Sequence, residues 1–240
     1  PITVSLNYSY NLLTPLFNIV FVPFISFLFY PICLITFLFP FFLPVLKILI
    51  RLLELLTIVF TKVSINVILP KMSIAVIIIY YINVFLISKY KKIYYHLFNI
   101  LILIIYPYEY NLDDTLKVYY LDVSQGDASI LISPKNREVT LIDTGGITTD
   151  KNYYTAKNIL KFLHSIDIKK IDNLIISNGD FDHICNAFYL VYNIKIEKVI
   201  LNCGEVNDLE NDLIKILTKN QIKYYTCIKE LNINDNKLSF

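Results

Sequence analysis

The chain has 240 residues, enough for one or two domains, and a net charge of only +2, which makes no case for a globally basic nucleic-acid-binding surface. With 55% hydrophobic and 18% charged residues and a mean hydropathy of +0.54, it is too apolar for an ordinary soluble domain, and membrane segments are expected. Its four cysteines, Cys33, Cys185, Cys203 and Cys227, show no CxxC spacing, which argues against a structural zinc knuckle.

The two halves differ. Charges are scarce before Glu109 and frequent after Asp113, and all five glycines lie in the second half. The chain starts at Pro1 and reads as a fragment or a processed product. No basic segment precedes the first apolar run, so no signal peptide is expected. From Leu12 to Leu46 the sequence is almost continuously apolar. A span needs about 20 such residues, so this stretch holds one long tilted helix or two shorter, broken ones. Pro15, Pro23, Pro31, Pro40 and Pro44 interrupt it. A kinked anchor and a broken helix lining a cavity both fit, because proline removes a helical N–H and frees a carbonyl.

Val45 to Thr61 places Lys47, Arg51 and Glu54 at helical spacing among Leu and Ile, the pattern of an amphipathic helix. Ser73–Ile87 and Ile93–Tyr108 are apolar and flank Lys89, Lys91 and Lys92. This predicts a two-helix hairpin with its basic turn in the cytoplasm. The second helix then exits to the outer face, where Tyr106, Tyr108 and Tyr110 suit an aromatic interface belt. A multi-pass plasma-membrane protein, with its C-terminal part outside, is the expectation. Domain limits are expected at 1–110 and 111–240.

From Leu116 the pattern is that of an α/β domain. Strands are predicted at 117–123, 128–132 and 139–142 as a meander, then at 173–177, 198–203 and 223–228. Helices are predicted over 155–166, 184–192 and 208–219. Cys203 and Cys227 fall at strand ends. They could pair on an oxidising side, but unpaired buried thiols are the expectation.

One stretch concentrates the chemistry: Leu174 to Ala187, LIISNGDFDHICNA. An apolar strand runs into a loop carrying Asn178, Asp180, Asp182 and His183. Two carboxylates and an imidazole at the end of a buried strand make a metal cup suited to Mn²⁺ or Zn²⁺. The same loop is also ordinary turn chemistry, since Asn-Gly is a common turn pair. Of the other histidines, His96 lies beside the basic turn and His164 on a helix, as a surface or packing residue.

Asp-x-Asp-His after Leu-Ile-Ile-Ser resembles the metal-binding loop of the metallo-β-lactamase fold, whose pattern is His-x-His/Asp-x-Asp-His. Upstream, Leu121-Asp122-Val123-Ser124-Gln125-Gly126-Asp127-Ala128 and Leu141-Ile142-Asp143-Thr144-Gly145-Gly146 strengthen the match. These three segments, in this order behind a membrane region, resemble the ComEC family of DNA-uptake (competence) membrane proteins. The resemblance implies a membrane α-helical segment plus an α/β domain, the N-terminal half of a metallo-β-lactamase-like αββα fold. It implies a channel importing single-stranded DNA and an outward-facing, metal-dependent nuclease or hydrolase. The implied partners are DNA, membrane lipid and other uptake-machinery proteins. By position, Asp180 would bind a first metal, Zn or Mn, and Asp182 and His183 a second. Asp182 would also be the catalytic residue. Asp143 would orient ligands from behind, and Asp127 reads as a turn former. The sequence departs from the pattern at Asn178, which stands where the first histidine belongs. A neutral amide is a weak ligand, so the first metal would be held poorly and hydrolysis impaired. The remaining ligands of the family fold come from a second half, before whose completion these residues end. A non-catalytic DNA-positioning domain and a membrane-tethered hydrolase of small substrates are the alternatives.

Overall fold

The computed structural model describes residues 2–136, 138–147, 153–228, 230–233 and 236–239. They belong to two compact units, one of Ser9–Ile68, the other of Pro1–Tyr8 with Leu69–Phe240. A short helix, α1 (Ile2–Asn7), opens the chain.

In the unit Ser9–Ile68, strands β1 (Ser9–Asn11) and β2 (Asn66–Ile68) pair antiparallel, with Tyr10 opposite Val67. Between them, α2 (Thr14–Pro23), a π-helical segment (Phe24–Phe29) and α3 (Tyr30–Leu38) run on as one apolar helix. This helix, Thr14–Leu38, has 25 residues and is long and apolar enough to cross a membrane. Its π turns have a cause in sequence. Pro31 brings no N–H for the carbonyl one turn back, and the Tyr30 N–H bonds to the Ile25 carbonyl in the wider repeat. The helix stops at Phe39 (φ −130°, ψ 92°), because the residue before Pro40 is pushed out of the helical region. The amphipathic helix α4 (Leu43–Lys62) follows, with Lys47, Arg51 and Glu54 exposed.

In the other unit, α5 (Ile74–Tyr90) and α6 (Ile93–Ile105) form an apolar hairpin. The Ser73 side chain caps α5 by accepting from the Val76 N–H, and Lys91 takes the left-handed conformation (φ 52°) that ends it. The helices are exposed and apolar around most of their surface, and their buried seam is polar. Asn83 Nδ2 donates to Asn99 Oδ1 (2.8 Å) and to the Tyr95 carbonyl (2.6 Å), which fixes the register of the two helices. Tyr106, expected in an interface belt, is instead buried, and its hydroxyl donates to the Pro70 carbonyl at 3.3 Å. Tyr110 similarly donates to the Lys71 carbonyl (2.7 Å), and the Lys71 N–H donates to the Ser165 carbonyl (2.8 Å). Tyr108 is exposed.

The α/β part carries a six-stranded sheet. Its strands are β3 (Lys117–Tyr120), β4 (Ser129–Ile132), β5 (Val139–Ile142), β6 (Lys170–Ile175), β7 (Lys195–Leu201) and β8 (Lys223–Thr226), in that spatial order. The first three form the expected antiparallel meander, and β5 to β8 are parallel. Parallel strands need crossovers, and helices supply them: α7 (Tyr154–Ser165), then α8 (Phe181–Ile184) and α9 (Ala187–Asn193), then α10 (Asp208–Lys219). Leu141, Leu174 and Val199 lie in register across three strands, and all three are fully buried. They share one core with Ile159 and Leu163 of α7, Leu190 of α9, and Leu213 and Leu217 of α10. Each such side chain contributes about 1.5–3 kcal/mol of burial. On the opposite face Ile175 and Ile200 meet Leu231 of a hairpin not foreseen in the sequence, β9 (Glu230–Ile233) with β10 (Asn236–Ser239). β6 and β7 each begin three residues earlier than predicted. Lys170, Lys195 and their neighbours Asp172 and Glu197 are polar but hold the strand ends through ion pairs.

The expectation of unpaired thiols at 203 and 227 is corrected. β7 and β8 lie side by side with Leu201 opposite Thr226, so the next residues converge. The Cα atoms of Cys203 and Cys227 are 4.4 Å apart and the pair is a disulfide.

Candidate metal loop at the strand ends

The carboxyl ends of β5 and β6 place the loops Asp143–Gly146 and Ser177–Asp180 side by side, and the Asp143 N–H donates to the Ile175 carbonyl (2.8 Å). Asp143 is buried and left-handed (φ 55°), a conformation that Asp and Asn tolerate better than most residues. Its carboxylate gathers three donors. The Ser177 N–H donates to Oδ1 at 2.7 Å and the Ser177 hydroxyl to Oδ2 at 2.6 Å. His183 Nδ1 lies 3.0 Å from Oδ2. A carboxylate only accepts, so it fixes the imidazole with its proton on Nδ1 and turns Nε2 outward. This bond, more than the opposing burial, raises the His183 pKa above its ordinary value, with the charges of Asp143, Asp182 and Asp180 adding to the effect.

Thr144 holds the next layer. Its N–H and its hydroxyl both donate to the His183 carbonyl, at 2.8 and 2.9 Å. Asn186 Nδ2 donates to the Thr144 carbonyl (2.8 Å), and the Thr155 hydroxyl donates to Asn186 Oδ1 (3.0 Å). The turn at Gly126 (φ 75°) closes against the same loop so tightly that a Cβ there would overlap the Asp182 carbonyl. The Gly146 N–H donates to the Gln125 carbonyl (3.1 Å). From the far side Asn207, which caps α10 in a capping box with Glu210, donates through Nδ2 to the Gly179 carbonyl (2.7 Å). Thus all three segments singled out in the sequence meet at one place.

Within that place the candidate ligands divide. His183 Nε2 lies 3.9 Å from Asp182 Oδ1, and Asp182 is exposed. Asn178 and Asp180 instead clasp each other. Asn178 Nδ2 donates to Asp180 Oδ2 (2.9 Å), and the Asp180 N–H donates to Asn178 Oδ1 (3.1 Å). Among the described residues no three His, Cys, Asp or Glu groups are arranged to hold a metal ion. As arranged, these residues do not fit a two-metal centre: the amide that replaces the first imidazole spends its oxygen on the loop backbone and its nitrogen on the carboxylate beside it. Asp127 is exposed in its turn, His164 is half-buried on α7, and His96 is exposed on α6. Sequence reasoning missed Ser177, Thr144 and Asn207. The first two were visible as hydroxyls inside the motif segments, whereas Asn207 carried only the signature of a helix cap.

Beyond Ser177 the strand ends enclose an apolar cavity of about 480 Å³, walled by Ile142, Ile175, Ile200 and Ile228 and rimmed by the Cys203–Cys227 pair.

Residues 121–203 match the metallo-beta-lactamase superfamily. Among curated proteins, ComE operon protein 3 of Bacillus subtilis (strain 168) is 29% identical over 123 residues, covering 47% of this chain and 16% of that protein. The 1-deoxy-D-xylulose 5-phosphate reductoisomerase of Pelagibacter ubique (strain HTCC1062) is 27% identical over 161 residues, 64% of this chain and 40% of that protein. The matched part therefore spans less than half the length of either relative, 16% of one and 40% of the other. The α/β part is a metallo-β-lactamase-type domain. In its motif order, in the apolar helix before the domain and in its likeness to the Bacillus relative, the chain is similar to the ComEC-type competence proteins that carry such a domain. Nothing in the site bears on the likeness to the reductoisomerase.

Proposed function

We propose that this chain is part of a multi-pass membrane protein for DNA uptake, whose metallo-β-lactamase-like domain lies on the outer face and holds DNA rather than cutting it. The apolar helix Thr14–Leu38 and the hairpin of α5 and α6 would sit in the membrane as part of the DNA path, with lipid and other uptake proteins as neighbours. Two independent features support the outward placement. Lys89, Lys91 and Lys92 crowd the hairpin turn, which favours that turn in the cytoplasm. The Cys203–Cys227 disulfide belongs in an oxidising compartment.

The observation that carries the non-cutting role is the Asn178–Asp180 clasp at the position where the family pattern has its first metal histidine. A second reading, a metal-dependent nuclease or hydrolase, is favoured by one observation. The Asp143–His183 pair presents Nε2 beside Asp182, as a histidine prepared to accept a cation or a proton would. The two readings separate in a cleavage assay on the intact membrane protein with Mn²⁺ or Zn²⁺, run beside Asn178→His. The positioning role predicts DNA binding without cleavage, with Zn²⁺ affinity rising at least tenfold in Asn178→His. Metal-dependent cleavage by the unaltered protein, abolished by Asp182→Ala, would establish the nuclease instead.

A further inference from the structure

The adjacent helices α7 and α9 carry a feature that the metal loop does not use. Four tyrosines gather on them. Tyr153, at the start of α7, stacks on Tyr189 of α9 with ring centroids 5.3 Å apart and planes 27° from parallel. Tyr154 is 67% exposed and Tyr192 is 59% exposed, one turn on from Tyr189. Lys157 and Lys161 project from the same outer side of α7. Tyrosine is common here, 19 of 240 residues, so exposed rings alone would mean little. Charge adds to them: of the four described helices of the α/β part, α7 (YTAKNILKFLHS) and α9 (AFYLVYN) are the two without an acidic residue, whereas α8 and α10 carry them.

We infer that this outer face of α7 and α9 is a stacking platform for single-stranded nucleic acid. The exposed tyrosine rings take bases and Lys157 and Lys161 take phosphates. Stacking on aromatic rings beside a basic track is how single strands are bound without regard to sequence, since every base has a π face. Duplex bases are already stacked on one another and do not offer that face. The platform is also tied to the strand-end loops. Thr155, beside Tyr154, donates to Asn186, and Asn186 donates to the Thr144 carbonyl, next to Asp143. The inference rests on the DNA-holding role proposed above and names the surface that does the holding.

The test is fluorescence anisotropy of a labelled oligothymidylate on the full chain in nanodiscs. The variants are Tyr154→Ala, Tyr192→Ala, their Phe counterparts, and Lys157→Ala with Lys161→Ala. Thermal midpoints check that each variant is folded. Each Tyr→Ala change should weaken binding about tenfold, the low end of base–aromatic stacking, and Phe should restore it. The double lysine change should lower the salt slope by roughly 1.4, about 0.7 for each phosphate contact to a single strand. An oligothymidylate affinity that survives both Tyr→Ala changes, or equal affinity for duplex, overturns the platform and leaves the DNA-holding role standing. No binding of either form by the unaltered chain overturns both.

Discussion

Asp143 is where the arrangement is most exposed to test. Replacing it by asparagine keeps the shape and the tolerance for φ 55°, but offers one acceptor oxygen in place of two. The Ser177 N–H, the Ser177 hydroxyl and His183 Nδ1 then compete for it. Bonds to a charged group contribute about 1.5–3 kcal/mol each, and members of one cluster do not add, so Asp143→Asn should cost roughly 2–3 kcal/mol. Asp143→Ala removes every acceptor, strands the Ser177 N–H at a cost of about 1–3 kcal/mol, and loses the local side-chain hydrogen bonding that lets Asp and Asn tolerate the left-handed conformation. It should therefore be worse by about 2 kcal/mol again. Urea unfolding of the full chain in detergent, followed by near-ultraviolet circular dichroism, reads both values. The pH dependence gives a second reading. His183 has a raised pKa in the folded chain, so its charge contributes stability that is complete below the unfolded value and is lost as pH rises through the folded one. The difference between the unaltered chain and Asp143→Asn should shrink over that window, and an NMR titration should find the His183 pKa lower in the variant. Equal costs for Asn and Ala, both under about 1 kcal/mol, or an unmoved His183 pKa, would refute the clustering of these groups on one carboxylate.

Two further predictions rest on other contacts. Gly126→Ala forces a Cβ into the Asp182 carbonyl at φ 75°, and should cost at least about 2 kcal/mol in the same unfolding assay; an unchanged midpoint would mean that the two turns are not in contact. The Cys203–Cys227 bond closes a loop with a sequence separation of 24, for which loss of the cross-link costs about 3 kcal/mol. Reductant should lower the urea midpoint of the unaltered chain and not that of the double Cys→Ala variant, whereas a midpoint blind to reductant would refute the pairing.

What the sequence made legible was whatever depends on neighbours a few residues apart. Alternation and 3.6-residue spacing located Val139–Ile142 and Asp208–Lys219 without error. Five prolines interrupt Leu12–Leu46, and the sequence does not say which of them ends the helix; it is Pro40, which acts on the residue just before it. The strand starts at Lys170 and Lys195 were missed, since their polar residues look like loop until cross-strand ion pairs are known. The hairpin Glu230–Ser239 was missed because only Leu231, resting on Ile175 and Ile200, gives it an apolar reason to exist. The site divides in the same way. The three motif segments could be read as meeting, because each ends or begins a strand of one sheet. The clasp between Asn178 and Asp180 could not, although they are only two residues apart. In sequence, an amide at 178 is as free to face outward as a weak ligand as to turn back onto its own loop. Asn207, capping a helix 28 residues further on, also holds the Gly179 carbonyl of this loop. Restoring histidine at 178 alone leaves that bond in place, and the expectation is that it helps keep the loop folded back on itself. The double change Asn178→His with Asn207→Ala should accordingly bind Zn²⁺ more tightly than Asn178→His, and equal affinity by calorimetry would show that the cap does not govern the loop.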